Sequence, residues 1–84
     1  MYKMKISHLN DLGEEWSMDL EYKNIEAVRG FILPLLQDFA LNGYRVTFDD
    51  DQMEVVGHTF TIFYKWHEVD TKLHKLMNEP SPFV

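Results

Sequence analysis

The stretch WSMDLEY, residues 16–22, alternates strictly between apolar and polar side chains. Successive side chains of a strand point to opposite faces, so its four apolar residues share one face and its polar residues share the other. Glu15 continues the polar set on its N-terminal side. This period of two predicts a β-strand with one buried face and one solvent-exposed face.

Residues 2–9 alternate in the same way and predict a partner strand. Between the two runs, the loop Asp11-Leu12-Gly13 places glycine where a common three-residue hairpin closure needs a left-handed residue. This loop pairs Ile6 with Met18, Met4 with Leu20, Lys5 with Asp19 and Lys3 with Glu21. Apolar residues and opposite charges then meet across the strands, so we expect a hairpin in this register.

A long helix is expected next. Asn24 is a candidate N-cap, and Asn42-Gly43 supplies a C-terminal stop. Apolar residues follow helical spacing between them, at Ile25, Val28, Ile32, Leu35, Leu36 and Phe39. Pro34 lies inside this segment and cannot donate a hydrogen bond to the carbonyl of Gly30, which predicts a kink or a split there.

Three further strands and a last helix complete the expected elements. The strands are predicted at residues 44–49, 53–56 and 59–66, and the amphipathic helix at 68–78. A four-residue loop from Asp49 to Gln52 pairs Phe48 with Met53. A glycine-first turn at Gly57-His58 pairs Val55 with Phe60.

The expected fold class is therefore α+β. We predict a small antiparallel sheet in the order ββαβββα, packed on one long central helix and completed by a short C-terminal amphipathic helix. Residues 1–78 form the single domain, and residues 79–84, with two prolines, form an extended tail. A chain of 84 residues has apolar material for one core only.

The composition argues against several functions. The chain has no cysteine, which excludes a disulfide framework and a thiolate metal site and makes a reducing cytoplasm the expected location. The longest uncharged apolar run, residues 30–37, is far shorter than the roughly 20 residues of a membrane helix. No serine has a supporting base motif and no glycine-rich phosphate loop occurs. We expect neither catalytic residues nor a cofactor.

Two clusters resemble metal sites incompletely. Asp70 and His74 are four residues apart on the predicted last helix, but no third strong ligand is evident beside them. Asp49-Asp50-Asp51 starts like a calcium loop, yet Met53 and Glu54 stand where that loop needs an oxygen ligand and a glycine. We expect solvated surface in both places and no bound metal. A small metal-binding protein or enzyme is kept as an alternative.

The acidic balance is the most distinctive feature. Fourteen acids against eight Lys and Arg give a net charge of −6, which disfavours direct binding of nucleic acid. The acids concentrate on the two predicted hairpins, at Glu14, Glu15, Asp19, Glu21, Asp49, Asp50, Asp51 and Glu54. Side by side, they would complement a basic protein surface and imitate nucleic-acid phosphates. The competing interpretation is ordinary solubility charge.

By elimination, the expected function is a non-catalytic acidic protein-binding module, such as a small inhibitor or adaptor. Phage or mobile-element proteins that block a host nucleic-acid-handling protein are one class of this kind. A second hypothesis is a homodimeric structural or assembly protein. Its contact would use the apolar helix residues outside the main stripe, Phe31, Leu33 and Leu41.

Overall fold

The computed structural model describes residues 1–69, of which strands take up 51% and helix 25%. The elements are β1 (Tyr2–Asn10), β2 (Glu15–Tyr22), α1 (Ile25–Leu41), β3 (Arg45–Phe48), β4 (Gln52–Val56) and β5 (Phe60–Glu68). All five strands form one antiparallel sheet in the order β2-β1-β5-β4-β3. The helix α1 thus connects the two edge strands, and β5 occupies the centre.

The predicted ββαβββα fold with a dominant central helix and a second helix is wrong. The described chain is mostly sheet, with one helix. The last helix was expected to begin at Glu68, but Glu68 ends β5 and pairs with Tyr2 of β1. Because β1 offers β5 a partner along its whole length, strand hydrogen bonds prevail there over helical spacing. The rest of that predicted helix and the predicted tail, residues 70–84, lie outside the described residues.

The first hairpin is confirmed in its predicted register. Ile6 lies opposite Met18 and Lys5 opposite Asp19, and the pairing runs unbroken from Tyr2–Tyr22 to Leu9–Glu15. Gly13 adopts the left-handed conformation at φ 83°, which a residue with a Cβ rarely accepts.

The helix α1 begins and ends where predicted. The Asn24 side chain accepts the N–H of Ala27 at 2.9 Å, which is an N-cap bond. At the other end Gly43 is left-handed at φ 83°, as a helix stop requires. The helix is uninterrupted across Pro34 rather than split. Gly30 and Pro34 are both exposed, so the carbonyl that loses its partner lies on the solvent side of the helix.

The second hairpin is confirmed, but the next turn is wrong. Phe48 lies opposite Met53 as predicted. Val55, however, pairs with Ile62 rather than Phe60. The turn has the predicted two residues but lies one residue later, at His58-Thr59, since the N–H of Gly57 donates to the carbonyl of Phe60 at 2.8 Å. The pairing of β4 with β5 is thus shifted by two residues. Such a shift leaves every side chain on its predicted face of the sheet, so the predicted core residues do not change.

The core lies between α1 and one side of the sheet, here called the covered face; the opposite side is the open face. Its buried residues are Met4, Ile6, Val28, Ile32, Met53, Val55, Tyr64 and Trp66. Phe31 of α1 packs its ring against Tyr22 and Tyr64, with centroid distances of 5.9 and 6.3 Å. The described residues include no helix with the length and hydropathy needed to cross a bilayer.

Two glycines provide a matched test of the packing at the β4–β5 turn. A Cβ at Gly57 would lie 2.8 Å from the Phe60 ring, which is itself held between His8 and Tyr44. We expect Gly57→Ala to lower the free energy of unfolding by about 1–3 kcal/mol. Gly30 lies in α1 with open space around it, so Gly30→Ala should raise that free energy by about 0.5–1 kcal/mol. Urea unfolding of both variants checks the opposite signs, and equal effects would contradict the close contact at Gly57.

Burial of Tyr64 predicts a loss of stability at alkaline pH. Desolvation raises the pKa of the Tyr64 phenol above its ordinary value of 10.0. Below pH 10 the phenol is neutral in both states; above it the unfolded chain ionises first, so the free energy of unfolding falls as pH rises. Tyr64→Phe should reduce this fall, measured by urea unfolding across the alkaline range. Identical slopes in the two proteins would show that the phenol ionises equally well in the folded state.

Candidate functional site

The open face of the edge strand β2 carries a column of acidic side chains. Glu15, Asp19 and Glu21 alternate along the strand, and all three are exposed. They share the open face with Ser17, because side chains at every second position of a strand lie on the same face. The column runs for about 20 Å along the edge of the sheet.

Glu14, a further predicted partner-binding residue, closes the hairpin instead of extending this column. Its carboxylate Oε2 accepts a hydrogen bond from Asn10 Nδ2 at 3.2 Å. Its backbone N–H donates to Asn10 Oδ1 at 2.9 Å. The Glu14 side chain is thereby tied to the tip of the hairpin.

The second acidic group, here called the acidic turn, consists of Asp49, Asp50 and Asp51 between β3 and β4. The buried Trp66 anchors it from β5. The indole Nε1 of Trp66 donates to the carbonyl of Asp50 at 3.0 Å, and its backbone N–H donates to the carbonyl of Asp51 at 2.9 Å. The turn is therefore fixed to the core by its backbone while its carboxylates are free to face solvent.

The structure does not bring the two predicted acidic hairpins side by side. The tip of the first hairpin lies beside the β4–β5 turn, where the N–H of Asp11 donates to the carbonyl of Thr59 at 2.9 Å. The acidic turn lies at the other end of β5, beside Trp66. It is also at the opposite edge of the sheet, because β1, β5 and β4 separate β2 from β3. One small partner surface cannot easily cover both groups.

Basic side chains occupy the centre of the open face. Lys5 lies opposite Asp19 on one side and Lys65 on the other, while Lys3 lies opposite Glu21 and His67. A shallow depression at this centre is lined by Lys5, Ser7, Gln52, Phe63, Lys65 and His67. Glu54, the last of the predicted acidic residues, sits on β4 opposite Phe63 and is half-buried. The open face is thus basic along its central strands and acidic along the β2 edge.

The covered face of β2 exposes two large apolar side chains. Trp16 keeps 51% and Met18 46% of its surface accessible. Strand alternation assigned both to the core, and the structure corrects that assignment. The helix α1, about 10–12 Å wide, is too narrow to cover five strands spaced about 4.8 Å apart. On the edge strand β2 only Leu20 and Tyr22 pack against the core. Strand alternation identifies the face on which a residue lies, but not whether a helix covers that part of the face.

Trp16 is nevertheless held in place by stacking. The ring of His8 lies parallel to the Trp16 indole, with a centroid distance of 5.3 Å and an interplanar angle of 9°. Phe60 stacks on the other side of His8 at 5.8 Å and 15°. The exposed indole is therefore a supported surface group, of the kind that serves as an interface anchor.

A cleft of about 420 Å³ lies between the first half of α1 and the acidic turn. Its lining includes Arg29, Leu33, Phe48, Asp50, Asp51 and Trp66. Both signs of charge and apolar carbon line this cleft, so its chemistry does not select one class of ligand.

The residues of the two alternative hypotheses are dispersed. Phe31 packs in the core, whereas Leu33 and Leu41 are exposed on the helix. Asp70 and His74 lie outside the described residues. Within residues 1–69, no three His, Cys, Asp or Glu side chains come together as a metal site requires.

No protein-family model, curated protein or solved structure matches this chain. Function must therefore be argued from the surfaces described above.

The anchoring of the acidic turn can be tested at Trp66. Trp66→Phe removes the indole hydrogen bond and part of a buried ring, which should cost about 2 kcal/mol of stability. The turn should also loosen, seen as faster hydrogen exchange of the Asp49 amide, which bonds the carbonyl of Gln52. Phe48→Leu is the control, because Phe48 packs on Trp66 at 6.1 Å without holding the turn by a hydrogen bond. Unchanged exchange at Asp49 in Trp66→Phe would show that the indole bond does not order the turn.

Proposed function

We propose that this protein is a non-catalytic acidic protein-binding module, an inhibitor or adaptor whose β2 edge contacts a basic protein. One observation carries the proposal: the same strand presents an acidic column on its open face and exposed Trp16 and Met18 on its covered face. Acidic side chains steer a basic partner into contact and select against acidic ones. Trp16 is half-exposed and held by stacking, so it supplies a large apolar side chain that a partner can bury. Charged side chains alone do not provide such an anchor.

A nucleic-acid-handling protein fits this partner chemistry, because such proteins carry basic surfaces that receive phosphates. Three of the four open-face positions of β2 carry carboxylates, which offers such a surface a row of negative charge. The proposal includes an inhibitor of the phage or mobile-element kind, which would block a host enzyme. So does a cytoplasmic location, because the chain has no cysteine and gains nothing from an oxidising compartment.

The homodimer hypothesis receives less support. Its three residues do not form one surface, because Phe31 packs between the core rings of Tyr22 and Tyr64 while Leu33 and Leu41 are exposed. The hypothesis of a metal protein or enzyme depends on Asp70 and His74, which the described residues do not include.

Two charge-matched variants test the proposed function. Glu15→Gln/Asp19→Asn/Glu21→Gln neutralises the β2 column, and Asp49→Asn/Asp50→Asn/Asp51→Asn neutralises the acidic turn. Each removes three of the fourteen acidic charges. Wild type and both variants are used as bait in a lysate of the native host at low and moderate salt. Captured proteins are identified by mass spectrometry, and binding is then measured with the purified partner.

We expect a protein with a basic surface to bind wild type and the acidic-turn variant alike. The β2 variant should bind about tenfold or more weakly, and added salt should weaken the wild-type complex. Circular dichroism confirms that each bait is folded. If no purified protein binds wild type more tightly than the β2 variant, the acids of β2 are solubility charge and the proposed function fails.

A further inference from the structure

Within residues 1–69, no strand pairs with the outer side of β2. The N–H of Asn10 donates to the carbonyl of Glu14 at 3.0 Å, which marks residues 10 and 14 as a hydrogen-bonded pair. In an antiparallel ladder such pairs alternate with non-bonded ones, so the even-numbered residues of β2 bond β1. The N–H and C=O groups of Glu15, Ser17, Asp19 and Glu21 therefore point away from the sheet. They are the residues whose side chains line the open face.

This edge has only one of the usual protections against strand pairing, its charged side chains. Edge strands are normally shortened, bulged, interrupted by proline or given charged residues, especially lysine. Strand β2 is eight residues long, contains no proline, glycine or lysine, and pairs with β1 without a bulge. The opposite edge strand, β3, has only four residues. The sheet is thus open to extension chiefly at β2.

The charges of β2 oppose pairing with a second copy of itself. When two β2 strands pair antiparallel with Met18 at the centre, Glu15 of each copy faces Glu21 of the other. Centring the pair on Ser17 places Glu15 opposite Asp19, and centring it on Asp19 places that residue opposite itself. Like charges directly opposite are destabilising in a sheet. Every one of these registers is penalised, so a strand of different charge is favoured.

We propose that β2 accepts an added strand from its partner: an extended segment with basic residues at alternate positions and apolar residues between them. The inference rests on the proposed function and specifies how the basic partner is bound. The basic side chains lie on the open face opposite Glu15, Asp19 and Glu21. The apolar side chains between them lie on the covered face beside Trp16 and Met18. Backbone hydrogen bonds supply affinity and the two faces supply specificity, as in other strand-addition complexes.

A capped peptide of sequence Lys-Val-Arg-Ile-Thr-Val-Lys is the test probe. When the peptide pairs antiparallel with β2, its third residue lies opposite Asp19 and its fifth residue opposite Ser17. The N–H groups of these two peptide residues point toward β2. Methylation of these two backbone nitrogens blocks the predicted bonds. Methylation of the second and fourth nitrogens is the matched control, because those N–H groups point away from β2. Binding is followed by NMR titration of the whole protein and by hydrogen exchange.

We expect the unmodified peptide and the control peptide to bind alike. Methylation of the third and fifth nitrogens should weaken binding by about tenfold or more, since two hydrogen bonds are lost. The unmodified peptide should slow exchange of the Ser17 and Asp19 amides. Ser17→Pro removes an outward N–H at an edge position that tolerates proline, and it should lose peptide binding to the same degree.

Two results would overturn the inference. One is equal binding of both methylated peptides, with chemical-shift changes confined to the acidic side chains. That result leaves a charge-driven contact, so the proposed function would stand while strand addition fails. The other is no binding of any peptide while the purified lysate partner still binds wild type in preference to the β2 variant. Failure of the lysate experiment itself, by contrast, removes the proposed function.

Discussion

The structure of residues 1–69 depends on one mismatch of size: α1, the one helix among these residues, covers a five-stranded sheet. Helix α1 is about 10–12 Å wide, whereas the sheet spans about 19 Å from β2 to β3. The helix buries the middle of the covered face, where Met4, Val55 and Tyr64 are almost inaccessible. Part of each edge strand keeps this cover, as at Leu20 and Val46, while the rest of β2 loses it. The exposure of Trp16 and Met18 follows from geometry, even though their strand pattern is that of core residues.

Local features of this fold could be predicted from the sequence because each has a short-range cause. The Asn24 cap, the left-handed Gly13 and the Ile6–Met18 register depend on turn chemistry within a few residues. The predicted Val55–Phe60 pairing was wrong because Gly57 does not open the turn: its N–H bonds the carbonyl of Phe60, and the tight turn lies one residue later, at His58-Thr59. The placement of β5 depends on β1, more than fifty residues earlier, and no local pattern encodes that contact.

The sequence predicted which acidic residues form the candidate site, but not how they are arranged in space. The acidic residues of β2 were recognised from their alternation, and their shared face followed from it. Their separation from the acidic turn depends on the strand order β2-β1-β5-β4-β3, which places the two hairpins at opposite edges. The strand order also sets Lys5 beside Lys65 at the centre of the open face. A net charge of −6 therefore conceals a basic centre and an acidic edge.

An unprotected edge strand is ordinarily a hazard, because its free backbone groups pair with any extended chain. On β2 the protection is selective rather than general. The three carboxylates repel a second copy, which is the strand present at highest local concentration when the protein aggregates. In the proposed complex the same carboxylates attract a strand with basic residues at alternate positions. One set of charges would then separate harmful self-pairing from partner binding, because both would use the same backbone groups of Glu15, Asp19 and Glu21.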